Sequence, residues 1–190
     1  TSSENSHNSR IRARVKANAL KEIIEGSDTV FTMGHRQGDM DSLGACLGMY
    51  RIAKSFGKNC YIVLDEVPKA IRKLYDKLME AGYRDVFVTG ERALGMIDEK
   101  SLVIINDTHI KGMVECPELL MAAKKKIVFD HHRKSAGFID DTVLSYHEPY
   151  ASSACELVTE VIQIFRNVIK LKPEEADALL AGMTMDTKHF

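Results

Sequence analysis

The chain has 190 residues, 45% of them hydrophobic and 28% charged, which is the size and composition of one medium globular domain with an ample core. Its 26 Lys and Arg against 27 Asp and Glu leave a net charge of −1, so there is no general attraction to nucleic acid or anionic membrane and any phosphate recognition has to be local. Cys46, Cys60, Cys116 and Cys155 show no C-x-x-C spacing and no apolar stretch approaches the length of a membrane span, which argues against a zinc ribbon, a disulfide framework and a transmembrane segment and fits a reducing cytoplasm.

Residues 1–9 (TSSENSHNS) are polar and are expected to be a disordered tail, leaving residues 10–190 as one domain. Residues 10–25 have helical spacing, with Ile11, Val15, Ala19 and Ile23 on one face and Gly26 as the stop. The basic residues Arg10, Arg12, Arg14 and Lys16 are read as the solvated start of that helix rather than as a nucleic-acid arm. Residues 29–34 form a strand. The helix after it, residues 41–56, has Leu43, Leu47, Tyr50 and Ala53 spaced for burial, with Gly44 and Gly48 allowing a close approach to the sheet. A strand at 60–64, an amphipathic helix at 68–80 and a short strand at 86–89 follow. Two long apolar strands, 102–106 and 126–129, are separated by a helical segment at 117–123. Ser153 with Glu156 three residues on has the spacing of a capping box for a helix to about 167, and Lys172-Pro173-Glu174 begins another to about Met183. Strands alternating with helices imply right-handed crossovers, hence an α/β fold with a mainly parallel sheet and helices on both faces.

Three of these strands end in groups that suit hard cations. The first runs into His35, Asp39 and Asp41, the run Leu102 to Ile105 into Asn106-Asp107, and Ile127-Val128-Phe129 into Asp130-His131-His132. Open parallel sheets gather ligands at the carboxyl ends of their strands. Alone, H-x-x-x-D-x-D is more often a polar loop and Asp-His-His a capped surface turn; three such ends in one chain reverse that reading. The helix beginning just beyond Asp41 presents free N–H groups and a positive dipole end to an anion. His109 is near enough to line the same cleft but is read as a solvated loop residue, with His147 and His189 ranked lower and the nine Met residues taken as core filler.

His35, Asp39 and Asp41, the isolated Asp107, the Asp130-His131-His132 triplet and the late Asp186-Thr187 resemble the four motifs of the DHH phosphoesterase superfamily. More closely, GHRQGDMDSLGA, VFDHHR, EPYASSACELVTE and DTKHF resemble the GdpP/YybT type of cyclic-di-AMP phosphodiesterase of Gram-positive bacteria. The resemblance implies two manganese ions, with His35 and Asp39 on one, Asp41, His131 and Asp186 on the other, and Asp107 bridging. Oxygen and imidazole ligands without thiolate agree with manganese or magnesium, two imidazoles favour manganese, and iron or Co2+ also fit. Asp130 is read as an acceptor that orients an imidazole rather than as a further ligand, and His132 as free to contact phosphate or protonate the leaving group, so Asp107, Asp130 and His132 form the expected catalytic set.

The implied reaction is hydrolysis of cyclic-di-AMP to linear pApA by two-metal activation of water. The alternatives are a nanoRNase acting on short oligonucleotides, a pyrophosphatase-like hydrolase, and an inactive regulatory module, which a missing ligand would favour and none is missing. The family pattern further implies a second, smaller domain beyond residue 190 that grips the nucleobases, a membrane anchor upstream with this domain in the cytoplasm, and a possible homodimer; duplex nucleic acid is not an expected partner.

Overall fold

A computed structural model describes residues 2–185. Its strands β1 (Thr29–Met33), β2 (Asn59–Val63), β3 (Phe87–Val88), β4 (Ser101–Asn106), β5 (Lys125–Asp130) and β6 (Leu144–His147) form one six-stranded sheet in the order β3-β2-β1-β4-β5-β6, with every neighbouring pair parallel. The chain steps outward from β1 to β3, then returns across β1 to start the other half at β4. That reversal opens a crevice between the carboxyl ends of β1 and β4, the place where such sheets bind their ligands. All six residues of β4 are buried, as a central parallel strand requires when both faces are covered.

The covering layers are unequal. On one face α1 (Ser2–Glu25), α2 (Met40–Ser55), α6 (Ala154–Ile164) and α7 (Pro173–Met185) close over Leu102, Ile104, Ile127 and Phe129, and α3 (Arg72–Glu80) extends this layer over Ile62 toward the β3 edge. The opposite face, with Val103, Ile105 and Val128, is covered by the shorter α4 (Gly90–Met96) and α5 (Pro117–Ala122). Among the described residues no helix is long and apolar enough to cross a membrane, and the four cysteines are buried and free.

Several local expectations are corrected. Helix α1 begins at Ser2, so residues 2–9 of the stretch expected to be a disordered tail belong to the helix. Its buried face is Ala13, Ala17, Leu20 and Ile24, whereas Ile11 and Val15 are 49% and 61% exposed. Hydropathy pointed to the branched residues, but the two alanines allow the close contact with α6. Gly44 and Gly48 admit helices rather than the sheet: a Cβ at Gly44 would stand 2.5 Å from the Ala178 carbonyl oxygen in α7, and one at Gly48 2.5 Å from Val158 Cγ1 in α6. At the start of α6, Ser153 Oγ accepts the Glu156 N–H at 3.0 Å, but the Glu156 carboxylate takes the Ser152 N–H at 2.6 Å, so the reciprocal half of the capping box is displaced by one residue. Neither α4 nor β6, seven and four residues long, was anticipated.

Candidate metal centre

Tight backbone packing builds the β1 end of the site. A Cβ at Gly34 would stand 1.7 Å from Ser42 Oγ, so only glycine lets the chain pass α2 there. The next segment is clasped on its other side, with Arg36 donating to the Met113 carbonyl at 2.8 Å and Glu115 donating to the Gly34 carbonyl at 2.9 Å. His35 is thereby held over the end of β4. Asp39 caps α2 by accepting the Ser42 N–H at 3.1 Å, so that helix end is already partly satisfied by a carboxylate and is less available to an outside anion than its sequence suggested.

Asp107 occupies the turn after β4 with φ at 66°, left-handed backbone that Asp tolerates better than most residues. Its N–H donates to the Phe129 carbonyl at 2.9 Å, which aims the side chain back over the sheet end. One oxygen, Oδ2, lies 3.3 Å from His35 Nε2, and the other, Oδ1, lies 3.3 Å from His131 Nε2. His131 Nε2 also lies 3.5 Å from Asp41 Oδ2, and Asp39 groups with His35 and Asp107 within 4.8 Å. Five of the six expected ligands thus converge on one crevice. Asp186 lies outside the described residues, although α7 leads toward the site: a Cβ at Gly182 would stand 3.0 Å from Asp41 Cα.

Asp41 has a support that the sequence did not disclose. Its carboxylate accepts the Ala154 and Cys155 N–H groups at 3.0 and 2.8 Å, so the amino end of α6 holds the anion with its unpaired donors and dipole. Burial would raise the Asp41 carboxyl, but His131 and these two N–H groups outweigh it and lower it. Asp107 goes the other way: burial raises it more than His131 and His35 lower it. His35 is raised to about 9, chiefly by its hydrogen bond to Asp107. For His131, burial is opposed by Asp107 and Asp41, which together hold it at about 10.

Asp130 is fully buried. Its Oδ1 accepts from His132 Nδ1 at 2.7 Å and from the His131 N–H at 2.8 Å, and its Oδ2 accepts from His109 Nδ1 at 2.6 Å. Burial would raise its carboxyl, but His132 and His109 hold it at about 2. The imidazole it orients is therefore His132, not the neighbouring His131. His109 is 5% exposed rather than solvated, and its ring lies 4.6 Å from that of His147 at the end of β6. Both were undervalued in the sequence. The available signal was positional, since His109 sits two residues past Asp107 and His147 closes a strand too short to recognise.

These groups fit divalent cations. Asp107 Oδ1 is buried and accepts no well-aligned hydrogen bond among the described residues, a condition that costs about 1–3 kcal/mol unless something else satisfies the oxygen. Imidazole nitrogens and carboxylate oxygens with no thiolate in the group are the donor set of manganese and its neighbours. Asp107, Asp130, His131 and His132 also form a group able to hold an ion.

An all-parallel sheet with carboxylates and imidazoles gathered at its switch point defines an α/β protein with groups there that could hold a metal ion. Comparison with known proteins gives the family: residues 29–183 match the DHH family, N-terminal domain, and the chain belongs to that family. It is 44% identical over 186 residues to the cyclic-di-AMP phosphodiesterase PdeA of Listeria monocytogenes and 39% identical over 186 residues to the cyclic-di-AMP phosphodiesterase GdpP of Bacillus subtilis. Each match covers 95% of this chain and 28% of the relative, so the chain spans a little over a quarter of those proteins. An exopolyphosphatase-related protein from Bacteroides fragilis superimposes with a TM-score of 0.73 over 92% of this chain and 51% of its own, at 21% identity, a likeness of fold alone.

Proposed function

We propose that the chain forms the metal-holding part of a phosphodiesterase that hydrolyses cyclic-di-AMP to linear pApA. The observation behind this reading is the Asp107 carboxylate, buried between the Nε2 atoms of two imidazoles at 3.3 Å each, with Oδ1 receiving no well-aligned hydrogen bond among the described residues. The names of the relatives at 39–44% identity supply the substrate. In this reading His35 and Asp39 hold one ion, Asp41, His131 and Asp186 the other, and Asp107 contacts both. When bound, two divalent ions, manganese being favoured, acidify a water and offset charge on the attacking and leaving oxygens of an in-line displacement.

The chain's own residues do the rest. Asp39 and Asp41 are pinned by helix ends, Asp39 to its own helix α2 and Asp41 to α6, so the ligands are preorganised rather than gathered at the moment of binding. His132 Nδ1 is engaged by Asp130, which leaves Nε2 to contact the phosphate or to hand a proton to the leaving oxygen. Choice of nucleobase is assigned to parts of the full-length protein outside this chain.

The test compares cyclic-di-AMP with bis-p-nitrophenyl phosphate on this chain and on the full-length protein, with manganese and with chelator. Both should lose all turnover in chelator. Holding a substrate in near-attack geometry can supply roughly 7–11 kcal/mol of a barrier, so this chain should retain slow manganese-dependent cleavage of the small ester and lose most cyclic-di-AMP turnover. Equal cyclic-di-AMP turnover by the two would place recognition within residues 1–190, and manganese-independent turnover would remove the metal from the reaction.

A further inference from the structure

His109 is bonded more thoroughly than a residue lining a cleft requires. Its Nδ1 donates to Asp130 Oδ2 at 2.6 Å, and its Nε2 accepts the Ser135 N–H at 3.1 Å. A ring nitrogen that accepts carries no hydrogen, so this pair of contacts defines the tautomer of His109. Its main chain is tied to the same loop: Ile139 donates to the His109 carbonyl at 2.8 Å, and Lys111 donates to the Gly137 carbonyl at 2.9 Å. The segment that follows the two adjacent histidines is thus clasped to the turn that follows Asp107.

The clasp ends on His132. Asp130 uses its second oxygen to accept from His132 Nδ1 at 2.7 Å, and His147, its ring tilted against that of His109 with centroids 4.6 Å apart, meets the His132 carbonyl oxygen with its Nε2. Yet 54% of the His132 side chain is exposed. A half-exposed imidazole with one nitrogen fixed from beneath presents the other outward in a defined direction. Without His109, Asp130 would be left buried with one oxygen unsatisfied, and it would turn toward whatever donor it could find.

We propose that His109 is a positioning residue that, through Asp130, fixes the tautomer and ring orientation of His132 so that His132 Nε2 faces the phosphodiester. The inference rests on the phosphodiesterase reading for its consequence, but its geometry does not depend on the bound ions. Side chains that hold an acting imidazole in place typically cost about 10–100-fold in activity when removed.

Two substitutions separate the two bonds of His109. In His109→Asn the amide nitrogen stands near the place of Nδ1 and keeps the donor to Asp130; in His109→Gln the amide lies near the place of Nε2 and keeps the link to Ser135 while losing the one to Asp130. In the full-length protein, His109→Gln should lower kcat by about 10–100-fold with KM unchanged, and His109→Asn should recover most of the loss. Long-range proton–nitrogen spectra of this chain, metal-free and at a pH where His132 is neutral, should show hydrogen on His132 Nδ1 in the wild type and in His109→Asn, and its loss in His109→Gln. Hydrogen on His132 Nε2 in the wild type, an unimpaired His109→Gln, or equal losses in both variants would overturn the proposal. Should a variant fail to fold, the wild-type spectrum decides alone. A wild-type enzyme inactive on phosphodiesters would count against the functional reading and leave the positioning to the spectrum.

Discussion

Glu175 and Asp107 are both buried carboxylates, 0% and 3% exposed, and the protein surrounds them in opposite ways. Glu175 accepts from Arg51 Nε and Nη2 at 2.8 Å each, from the Tyr83 hydroxyl at 2.7 Å and from the Lys172 N–H at 2.9 Å. Every lone-pair direction is used, and the result ties α7 to α2 and to the turn before β3. Asp107 lies between two imidazoles at 3.3 Å, beside Asp39 and Asp41, with Oδ1 accepting no well-aligned hydrogen bond among the described residues. A carboxylate buried for stability is saturated with well-aligned donors; Asp107 has only loosely aligned imidazoles, whose place a cation can take.

The sharpest way to break this contrast is to neutralise each carboxylate in turn. Asparagine suits position 107, because it tolerates the left-handed backbone there while removing the charge. In the full-length protein Asp107→Asn should reduce turnover on the order of 10³-fold, the equivalent of several kcal/mol of transition-state charge stabilisation, with turnover the main loss and the metal-free protein still folded. Steady-state kinetics with parallel thermal melts check this, and a larger loss from His35→Ala than from Asp107→Asn would refute the shared position of Asp107. Glu175→Ala should show the reverse pattern. Removing one partner of a buried ion pair costs about 3–5 kcal/mol, a fall in Tm of roughly 10 °C at about 2–4 °C per kcal/mol, while the protein that remains folded binds manganese normally in calorimetry.

A smaller effect is expected where the two regions meet. Gly182 lies against Asp41, and a Cβ there would come 2.4 Å from Cys155 Sγ. Gly182→Ala should therefore push α7 off α2 and lower stability by about 1–3 kcal/mol, measured by denaturant titration, and weaken manganese binding as well. Loss of stability with unchanged metal affinity would show that α7 packing and the site are independent.

The smallest expected effect is a dependence on pH. In the metal-free protein His35 and His131 keep their protons up to about 9 and about 10 rather than the ordinary 6.5. Both are raised, so their contribution to stability is complete below pH 6.5 and is lost as the pH rises through 9 and 10. A bound cation replaces those protons, so the increase in Tm caused by manganese should grow from pH 6 to pH 8.5. A shift that is constant or shrinks over that range would place the ion away from these imidazoles.

Much of this arrangement was legible in the residues. The strand ends carrying His35, Asp107 and His131 followed from apolar runs that stop abruptly at polar groups, and the resemblance to the DHH motifs named the residues that gather there. What stayed hidden depends on tertiary contact. Nothing in the spacing of Asp41 and Ala154, more than a hundred residues apart, shows that the first turn of α6 donates to that carboxylate at 3.0 Å. The same holds for Arg51 and Glu175, which only the packing of α2 against α7 brings together. His109 was discounted for a related reason: a loop imidazole is usually solvated, and only the fold places Asp130 beneath it. On α1 the error was one of physics rather than distance, because small side chains, not the most hydrophobic ones, made the close contact.

Whether the crevice between β1 and β4 is built for two divalent ions is tested most directly by anomalous diffraction from manganese-soaked crystals of this chain. Two peaks are expected beside the Asp107 carboxylate, one toward His35 and Asp39 and the other toward His131 and Asp41. Peaks elsewhere at saturating manganese, with His35, His131 and Asp107 still in contact with one another alone, would contradict it.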